Sequence, residues 1–390
     1  MNLPHPPGSF GQQPPNDGPV GGGAPQQWPQ NPSVGPTPPL HAGPPPWIPQ
    51  QQWANAPTPP DRGGKTKWML GGLAAVLAIA LAVVVTVLVV RPDAENGSKD
   101  GKPGRPASGL ASEDDVGPVS IITDDPTCDG WARITREYNA ESTAVRWAER
   151  DASIPANAWT PEQRAMYNTM AKAMTTAADH TEVLIKQTPH RVMRELYQQF
   201  SSYVHAFVPL IPAYGPENNR FVPVINALAN SATDICTAIE VRSAATLAGR
   251  IPSVGPPSRL ASTSGPDASD LFLGDGNPVC ADLASTVVAF DEETRAWQAL
   301  DPKLAAAEWS ADHRAVMDDV APVMSANADN LERLGRASDN PVVEDFTVLA
   351  AQYQRGYVEA IPSYTSADNV LWQVVASLVK AVNSGCKATS

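Results

Sequence analysis

A tandem duplication constrains the fold of this chain more than any other feature. Residues 159–236 match residues 309–386 without a gap, at a constant spacing of 150 positions. An internal repeat of this length is one structural unit used twice, so it takes precedence over any short motif. Upstream, Cys128 pairs with Cys280 at a spacing of 152 positions, which places a two-residue indel before the matched block.

The residues that recur are mostly aromatic, basic or cysteine. The matched pairs are Trp159 and Trp309, Arg164 and Arg314, Tyr203 and Tyr353, Tyr214 and Tyr364, and Cys236 and Cys386. Such pairs have two readings: they pack the core of each repeat, or they rim a groove that binds a ligand or a partner helix. We retain all eight aromatic and arginine residues as a candidate binding surface.

Each repeat predicts four helices. The second helix should begin after Thr160, because Thr160 can cap it, Pro161 suits its first turn and Gln163 completes a capping box with Thr160. Met166, Met170 and Met174 follow at four-residue steps and give this helix one apolar face. The predicted fold is therefore all-α, with two tandem repeats that resemble four-helix bundles at residues 126–248 and 278–390. A Pro/Ser/Gly-rich linker, residues 249–277, separates them.

The four cysteines follow the duplication. In an up-down-up-down bundle the start of the first helix lies beside the end of the fourth. The repeat then selects the pairs Cys128–Cys236 and Cys280–Cys386 from the three connectivities that four cysteines allow. A zinc site is disfavoured because the chain has no close C-x-x-C pair.

An uncharged apolar segment of 23 residues begins with Trp68 and ends with Val90. It is long enough to cross a bilayer, and 67 residues precede it, which is unlike a cleaved signal peptide. We interpret residues 67–91 as a signal anchor that contacts the lipid bilayer. Arg62, Lys65 and Lys67 on its N-terminal side predict a cytoplasmic N-terminus and an extracytoplasmic C-terminal part in the cell membrane.

The segments on either side of the anchor have the composition of unstructured chain. Residues 1–66 are rich in Pro, Gly and Gln, and nearly half of the 40 prolines lie in the first 60 residues. The patch at residues 44–49 is either a docking peptide for a cytoplasmic partner or part of a flexible tail. Residues 92–125 predict a polar stalk.

The layout of residues 1–95 resembles actinobacterial, especially mycobacterial, proline-rich single-pass membrane proteins. Those proteins share a proline-rich head, a basic flank, an Ala/Val-rich anchor and an uncharacterised extracytoplasmic domain. The resemblance implies a protein of the cell envelope, and it assigns no functional residue.

Charge and motifs narrow the function further. The net charge of −13 disfavours binding to nucleic acid. No zinc-protease, nucleophile-elbow, dinucleotide-binding or calcium-loop motif occurs in the sequence, so we expect no enzyme activity, no catalytic residue, no cofactor and no metal. The favoured hypothesis is a membrane-anchored envelope protein that binds or scaffolds an unidentified ligand or protein. The alternatives are a sensor or adaptor whose tail recruits a partner, and an enzyme of unfamiliar type.

Overall fold

The computed structural model describes residues 109–263, 270–274 and 276–389, all of which belong to one compact unit. This part of the chain is helical and contains no strand, as predicted. The first repeat contains α1 (Cys128–Ala144), α2 (Pro161–Gln187), α3 (Arg191–Phe207), α4 (Phe221–Glu240) and the short α5 (Ser243–Leu247). The second contains α6 (Cys280–Glu293), the short α7 (Arg295–Gln298), α8 (Ala311–Ala337), α9 (Pro341–Ala360) and α10 (Asn369–Ala388).

Short 3-10 helices occupy the connections. They are Trp147–Glu149, Ala156–Ala158, Val208–Ala213, Pro216–Arg220, Ala248–Arg250, Ala306–Glu308, Ile361–Ser363 and Ser366–Asp368.

Local chemistry explains where the long helices begin. The Thr160 hydroxyl accepts a hydrogen bond from the Gln163 backbone N–H at 3.2 Å, and Gln163 Oε1 accepts one from the Thr160 N–H at 2.9 Å. This reciprocal capping box satisfies two backbone donors that the helix itself cannot pair. In the second repeat Ser310 accepts a hydrogen bond from the His313 N–H at 3.1 Å. The predicted cap of α2 is therefore confirmed, and α8 is capped at the matched position.

The disulfides are Cys128–Cys236 and Cys280–Cys386, the pairs that the duplication predicts. Each joins the start of the first helix of a repeat to its last long helix: α1 to α4 in the first repeat, and α6 to α10 in the second. The Cα atoms lie 5.4 and 5.6 Å apart, which is a usual separation for this bond. Each bond thus closes its repeat into a ring of four helices.

The two repeats share one hydrophobic core, which differs from two bundles separated by a linker. Their fourth helices, α4 and α10, pack against each other more extensively than any other helix pair among the described residues. Both helices are largely apolar and mostly buried. Val222, Val224, Ile225, Ala227 and Leu228 on α4 are all buried. A helix with so wide an apolar surface needs cover beyond its own repeat, and the opposite repeat provides it.

Two extended segments cross between the repeats. The first arm, residues 110–125, precedes α1, and its residues Val119, Ile121 and Ile122 are buried. Part of the segment that composition assigns to a polar stalk is therefore packed into the core. The second arm, residues 251–263 and 270–274, lies in the predicted linker and buries Phe272 and Leu273.

Each arm contacts both repeats. The first arm reaches α9 of the second repeat, where the Tyr353 hydroxyl donates to the Ile122 carbonyl at 3.3 Å. The second arm reaches α3 of the first repeat, where Gln199 donates to the Asp270 carbonyl at 3.0 Å and accepts from the Phe272 N–H at 2.9 Å. Because each arm also hydrogen-bonds the repeat that it precedes, both arms bridge the two repeats.

Within residues 109–263, 270–274 and 276–389 no helix has the length and apolar character needed to cross a membrane. The predicted anchor at residues 68–90 lies outside the described residues. The predicted tail, the stalk up to residue 108 and the linker residues 264–269 lie outside them as well.

Candidate functional site

The eight aromatic and arginine residues singled out from the repeat do not form an open groove. Tyr203, Tyr214, Tyr353 and Tyr364 are at most 2% exposed, and the two matched tryptophans are 8% exposed. Of the eight residues, only Arg164 and Arg314 are exposed. The aromatic residues serve mainly as packing, so a binding surface built on them has no accessible ring face to offer.

In the first repeat these residues hold the connection between α1 and α2. The Trp159 indole N–H donates to the Ile154 carbonyl at 2.9 Å. Exposed Arg164 lies beside the Trp159 ring and donates to the Ala156 carbonyl at 2.8 Å. The Ala156 N–H in turn donates to the Tyr214 carbonyl at 2.9 Å. The network fixes the loop against the corner after α3.

The second repeat forms the same network with matched residues. The Trp309 indole donates to the Leu304 carbonyl at 2.9 Å, and Arg314 donates to the Ala306 carbonyl at 2.7 Å. The Ala306 N–H donates to the Tyr364 carbonyl at 2.8 Å. The residues that recur most clearly in the duplication therefore form the same set of contacts in each repeat and hold the loop before its second helix.

A cluster of buried charged residues lies where α3 meets α9. Arg191 on α3 is 2% exposed and Asp345 on α9 is fully buried. The Arg191 Nε lies 2.7 Å from Asp345 Oδ2, and its Nη2 lies 3.1 Å from Oδ1, a bidentate ion pair between the repeats. Asp115 of the first arm accepts the Arg191 backbone N–H at 2.6 Å. This cluster joins α3, α9 and the first arm.

The same cluster brings together two carboxyl groups from equivalent positions. Glu195 corresponds to Asp345 in the repeat, and burial raises the pKa of Glu195 well above its usual range, with the Asp345 charge adding to the effect. No carboxylate pair stood out in the sequence. One sequence signal for this cluster was missed. The charged pair Arg194-Glu195 aligns with the charged pair Glu344-Asp345, and the two pairs lie at matched positions of the third long helix of each repeat. Because Glu195 is 1% exposed, no substrate can reach the two carboxyl groups. They are part of the contact between the two repeats.

The charged residues at the other matched position anchor the two arms. Buried Arg194 donates to the Ser112 hydroxyl of the first arm at 3.1 Å. Buried Glu344 accepts hydrogen bonds from the backbone N–H and hydroxyl of Ser258 in the second arm. Arg336 on α8 completes the charge balance of Glu344. The function of this cluster in the fold is thus to fix both arms and the orientation of the repeats.

An open groove of about 380 Å³ lies between α6 and α8 in the second repeat. Ser285 and Thr286 line it from α6, and Asn327 and Asn330 line it from α8. The Asn330 side-chain amide donates to the Thr286 hydroxyl at 2.9 Å and so links the two helices. The buried ring of Phe290 also lines the groove. None of these residues stands out in the sequence.

The corresponding place in the first repeat is closed. Trp131, Ile134 and Ala177 fill the space between α1 and α2, and only a cavity of about 10 Å³ is left there. The Trp131 indole donates to Thr233 on α4 at 2.9 Å, which fixes the ring in the core. The groove therefore has no counterpart at the matched place of the first repeat.

Metal chemistry has no support in the described ranges. No group of three or more His, Cys, Asp or Glu side chains comes close enough there to hold a metal ion. All four cysteines are engaged in disulfides.

Comparison with known proteins identifies the family of the helical body. The family model described as "Mycobacterial ESX-1 associated protein" matches residues 110–390, more than half of the chain. An uncharacterised protein of Mycolicibacterium smegmatis (strain MKD8) is 38% identical over 345 residues, which cover 88% of this chain and 91% of the relative. No solved structure matches significantly. The mycobacterial part of the resemblance is confirmed, and the chain belongs to the mycobacterial ESX-1 associated protein family.

Proposed function

We propose that this protein is a non-enzymatic binding or scaffold component of the mycobacterial envelope that works with the ESX-1 secretion system. In this proposal residues 68–90 anchor it in the membrane and its helical body lies outside the cytoplasm. The observation that carries the proposal is the extent of the family match. The match spans residues 110–390, so the ESX-1 association attaches to the helical body rather than to the proline-rich tail.

The architecture of this body suits a scaffold. Two disulfide-closed repeats on one core, bridged by two arms, resist separation because any movement between them exposes apolar surface and buried charge. Disulfides persist in oxidising compartments, which agrees with a location outside the cytoplasm. A stiff body presents its surfaces in fixed positions and loses little conformational entropy on binding.

The association is tested by crosslinking in mycobacterial cells. A photoreactive amino acid is placed at Val183 or Val288, two exposed apolar positions on α2 and α6, in the full-length chain. We expect crosslinked products that contain ESX-1 components, and we expect these products to disappear in a strain that lacks ESX-1. Crosslinks that are the same in both strains would remove the support for a role in this system.

The topology needs a separate test. Val183→Cys and Ser9→Cys variants of the full-length protein are treated with a membrane-impermeant maleimide in intact cells. We expect labelling at residue 183 without permeabilisation and labelling at residue 9 only after it. The reverse pattern would contradict the proposed orientation.

The adaptor hypothesis differs in one result. Deletion of residues 1–60 leaves the helical body and the anchor in place. If ESX-1 secretion is unchanged by this deletion, the scaffold proposal is supported. If the deletion abolishes secretion while the crosslinks persist, the tail carries the function, and the adaptor hypothesis replaces the scaffold proposal.

A further inference from the structure

We propose that the groove between α6 and α8 of the second repeat binds a neutral saccharide. The proposal concerns a ligand site and does not depend on the ESX-1 association. Three features of the groove support the proposal. The matched place in the first repeat is a packed interface, side-chain amides line the groove and lie beneath it, and its walls can donate and accept hydrogen bonds.

The first feature is the divergence of the two repeats at matched positions. Thr286 replaces Ile134, and Asn327 replaces Ala177. Both residues of the first repeat are buried, whereas both of the second are half-exposed on the groove wall. Ala289 replaces the longer Glu137, so no long side chain covers this part of the groove. The second repeat has thus exchanged an apolar contact for a polar opening.

The polar character continues beneath the groove. Asn327 donates its side-chain N–H to Gln354 Oε1 on α9 at 2.9 Å. Gln354 is fully buried, and it replaces Val204, a core residue of the first repeat. Its Nε2 has no hydrogen-bond partner among the described residues. Buried polar atoms are nearly always paired, so an amide pair in place of two apolar residues points to a requirement other than packing.

The chemistry of the walls indicates the class of ligand. Side-chain amides and hydroxyls both donate and accept hydrogen bonds, which is the pattern that sugar hydroxyls need. Asn327 Oδ1 accepts no hydrogen bond from the described part of the chain. Glu293, one turn after Ala289 on α6, adds a carboxylate acceptor. No Lys or Arg is among the residues that line the groove, although Arg333 donates to Asn330 Oδ1 at 2.7 Å beside it. Glu293 in the lining and Arg333 beside it have opposite charges, which favours a neutral ligand. The volume of about 380 Å³ lies in the usual range for small-molecule sites.

Saturation-transfer difference NMR on the full-length protein tests the proposal. It detects weak binding through the protons of the sugar itself. The protein is held in a detergent without a sugar headgroup, and the probes are maltose, cellobiose and diacetylchitobiose. Glucosamine and glucuronate provide cationic and anionic comparisons. We expect transfer to at least one neutral disaccharide and less transfer to either charged sugar.

The variants locate the binding. Ala289→Trp fills the groove from an exposed position on α6, and Glu137→Trp makes the same change at the matched, exposed position on α1, where there is no groove. We expect A289W to reduce the transfer by at least about fivefold and E137W to leave it within about twofold. Asn327→Ala removes a wall amide without adding bulk, and we expect it to reduce the transfer as well.

Three results would overturn the proposal. The first is no transfer from the wild-type protein to any of the three neutral disaccharides. The second is transfer that neither A289W nor N327A reduces, because the sugar then binds elsewhere. The third is stronger transfer to glucosamine than to every neutral probe, because the groove would then be a cation site.

Discussion

Arg191 and Asp345 form a bidentate ion pair that is buried at the junction of the two repeats. The pair is asymmetric, because the repeat places Pro341 at the position that corresponds to Arg191. A buried ion pair contributes little net stability, since desolvation offsets the attraction. Its effect is on geometry: only one orientation of the repeats gives both buried charges a partner.

The first prediction concerns the loss of one partner. Arg191→Met keeps the length of the side chain but leaves Asp345 without its guanidinium. We expect the free energy of unfolding to fall by about 3–5 kcal/mol, because a buried charge loses its partner. Urea denaturation measures the change.

The matched control is Arg146→Met. Arg146 pairs with Glu149 at 3.6 Å in solvent, so its loss should cost less than about 1 kcal/mol. If R191M were as mild as R146M, the pair would not orient the repeats.

The helices were predictable from sequence because their signals are local. The capping box at Thr160 and the four-residue spacing of Met166, Met170 and Met174 involve neighbours along the chain. The disulfide pairs were predictable because the duplication reduces three connectivities to one. Neither inference needs knowledge of how the repeats meet.

The shared core was not predicted, although the sequence contains a signal for it. The fourth long helix of each repeat is largely apolar, with Val224, Ile225, Ala227 and Leu228 in α4, and such a helix needs more cover than one four-helix bundle provides. The burial of α3 was not predictable in the same way, because this helix carries charged residues. Arg191, Arg194 and Glu195 usually indicate a solvent-exposed face, whereas here all three are buried, and Arg191 forms an ion pair with Asp345 of the other repeat.

The second prediction concerns the second arm. The Phe272 ring packs between the rings of Tyr203 on α3 and Phe346 on α9, with centroids 5.8 and 5.5 Å away. We expect Phe272→Ala to lower the free energy of unfolding by about 3–5 kcal/mol, because it leaves a cavity in contact with both repeats. Leu260→Ala in the same arm is the control, since Leu260 is 47% exposed and should change stability by less than about 1 kcal/mol. Equal effects in chemical denaturation would mean that Phe272 is not an anchor.

The third prediction follows from one core with two disulfides. Replacing Cys128 and Cys236 together by serine should lower the free energy of unfolding by about 2–4 kcal/mol, which corresponds to about 5–15 °C in the melting temperature. The Cys280/Cys386 double variant should act similarly, because the sequence separations are 108 and 106 residues. Calorimetry should show a single cooperative transition in each variant. Two separate transitions would indicate that the repeats unfold independently.

The fourth prediction is a pH dependence at the interface of α4 and α10. Burial raises the pKa of Asp234 to about 7, and a hydrogen bond with Ser377 opposes this shift only in part. Between about pH 4 and pH 7 the folded protein retains a proton that the unfolded chain releases, so this group lowers stability as the pH rises through that window. Above pH 7 the penalty is complete.

Asp234→Asn removes this penalty. We expect the variant to be about 1–3 kcal/mol more stable than wild type at pH 8 and equal to it near pH 4, as measured by urea denaturation at both values. The exposed Asp319→Asn serves as the control and should show no such difference. A gain that is the same at both pH values would exclude a titration effect.

The fifth prediction asks whether the polar residues beneath the groove lower stability. The double variant Asn327→Ala with Gln354→Val restores the residues of the first repeat and removes the Gln354 N–H that has no partner in the described part of the chain. Replacing both members of a hydrogen-bonded pair by apolar groups together leaves no buried donor or acceptor without a partner, and its effect on stability is typically close to neutral or favourable. We therefore expect an unchanged free energy of unfolding or a gain of up to about 2 kcal/mol.

The mirror substitution in the first repeat is the control for this prediction. Val204→Gln buries an amide among apolar residues and should lower the free energy of unfolding by about 2–4 kcal/mol in the same urea titration. A loss of stability in the N327A/Q354V variant as large as that in V204Q would mean that the amide pair holds the second repeat together. A neutral or positive change would mean that the pair is retained despite its effect on stability, as is usual for residues that serve a binding site.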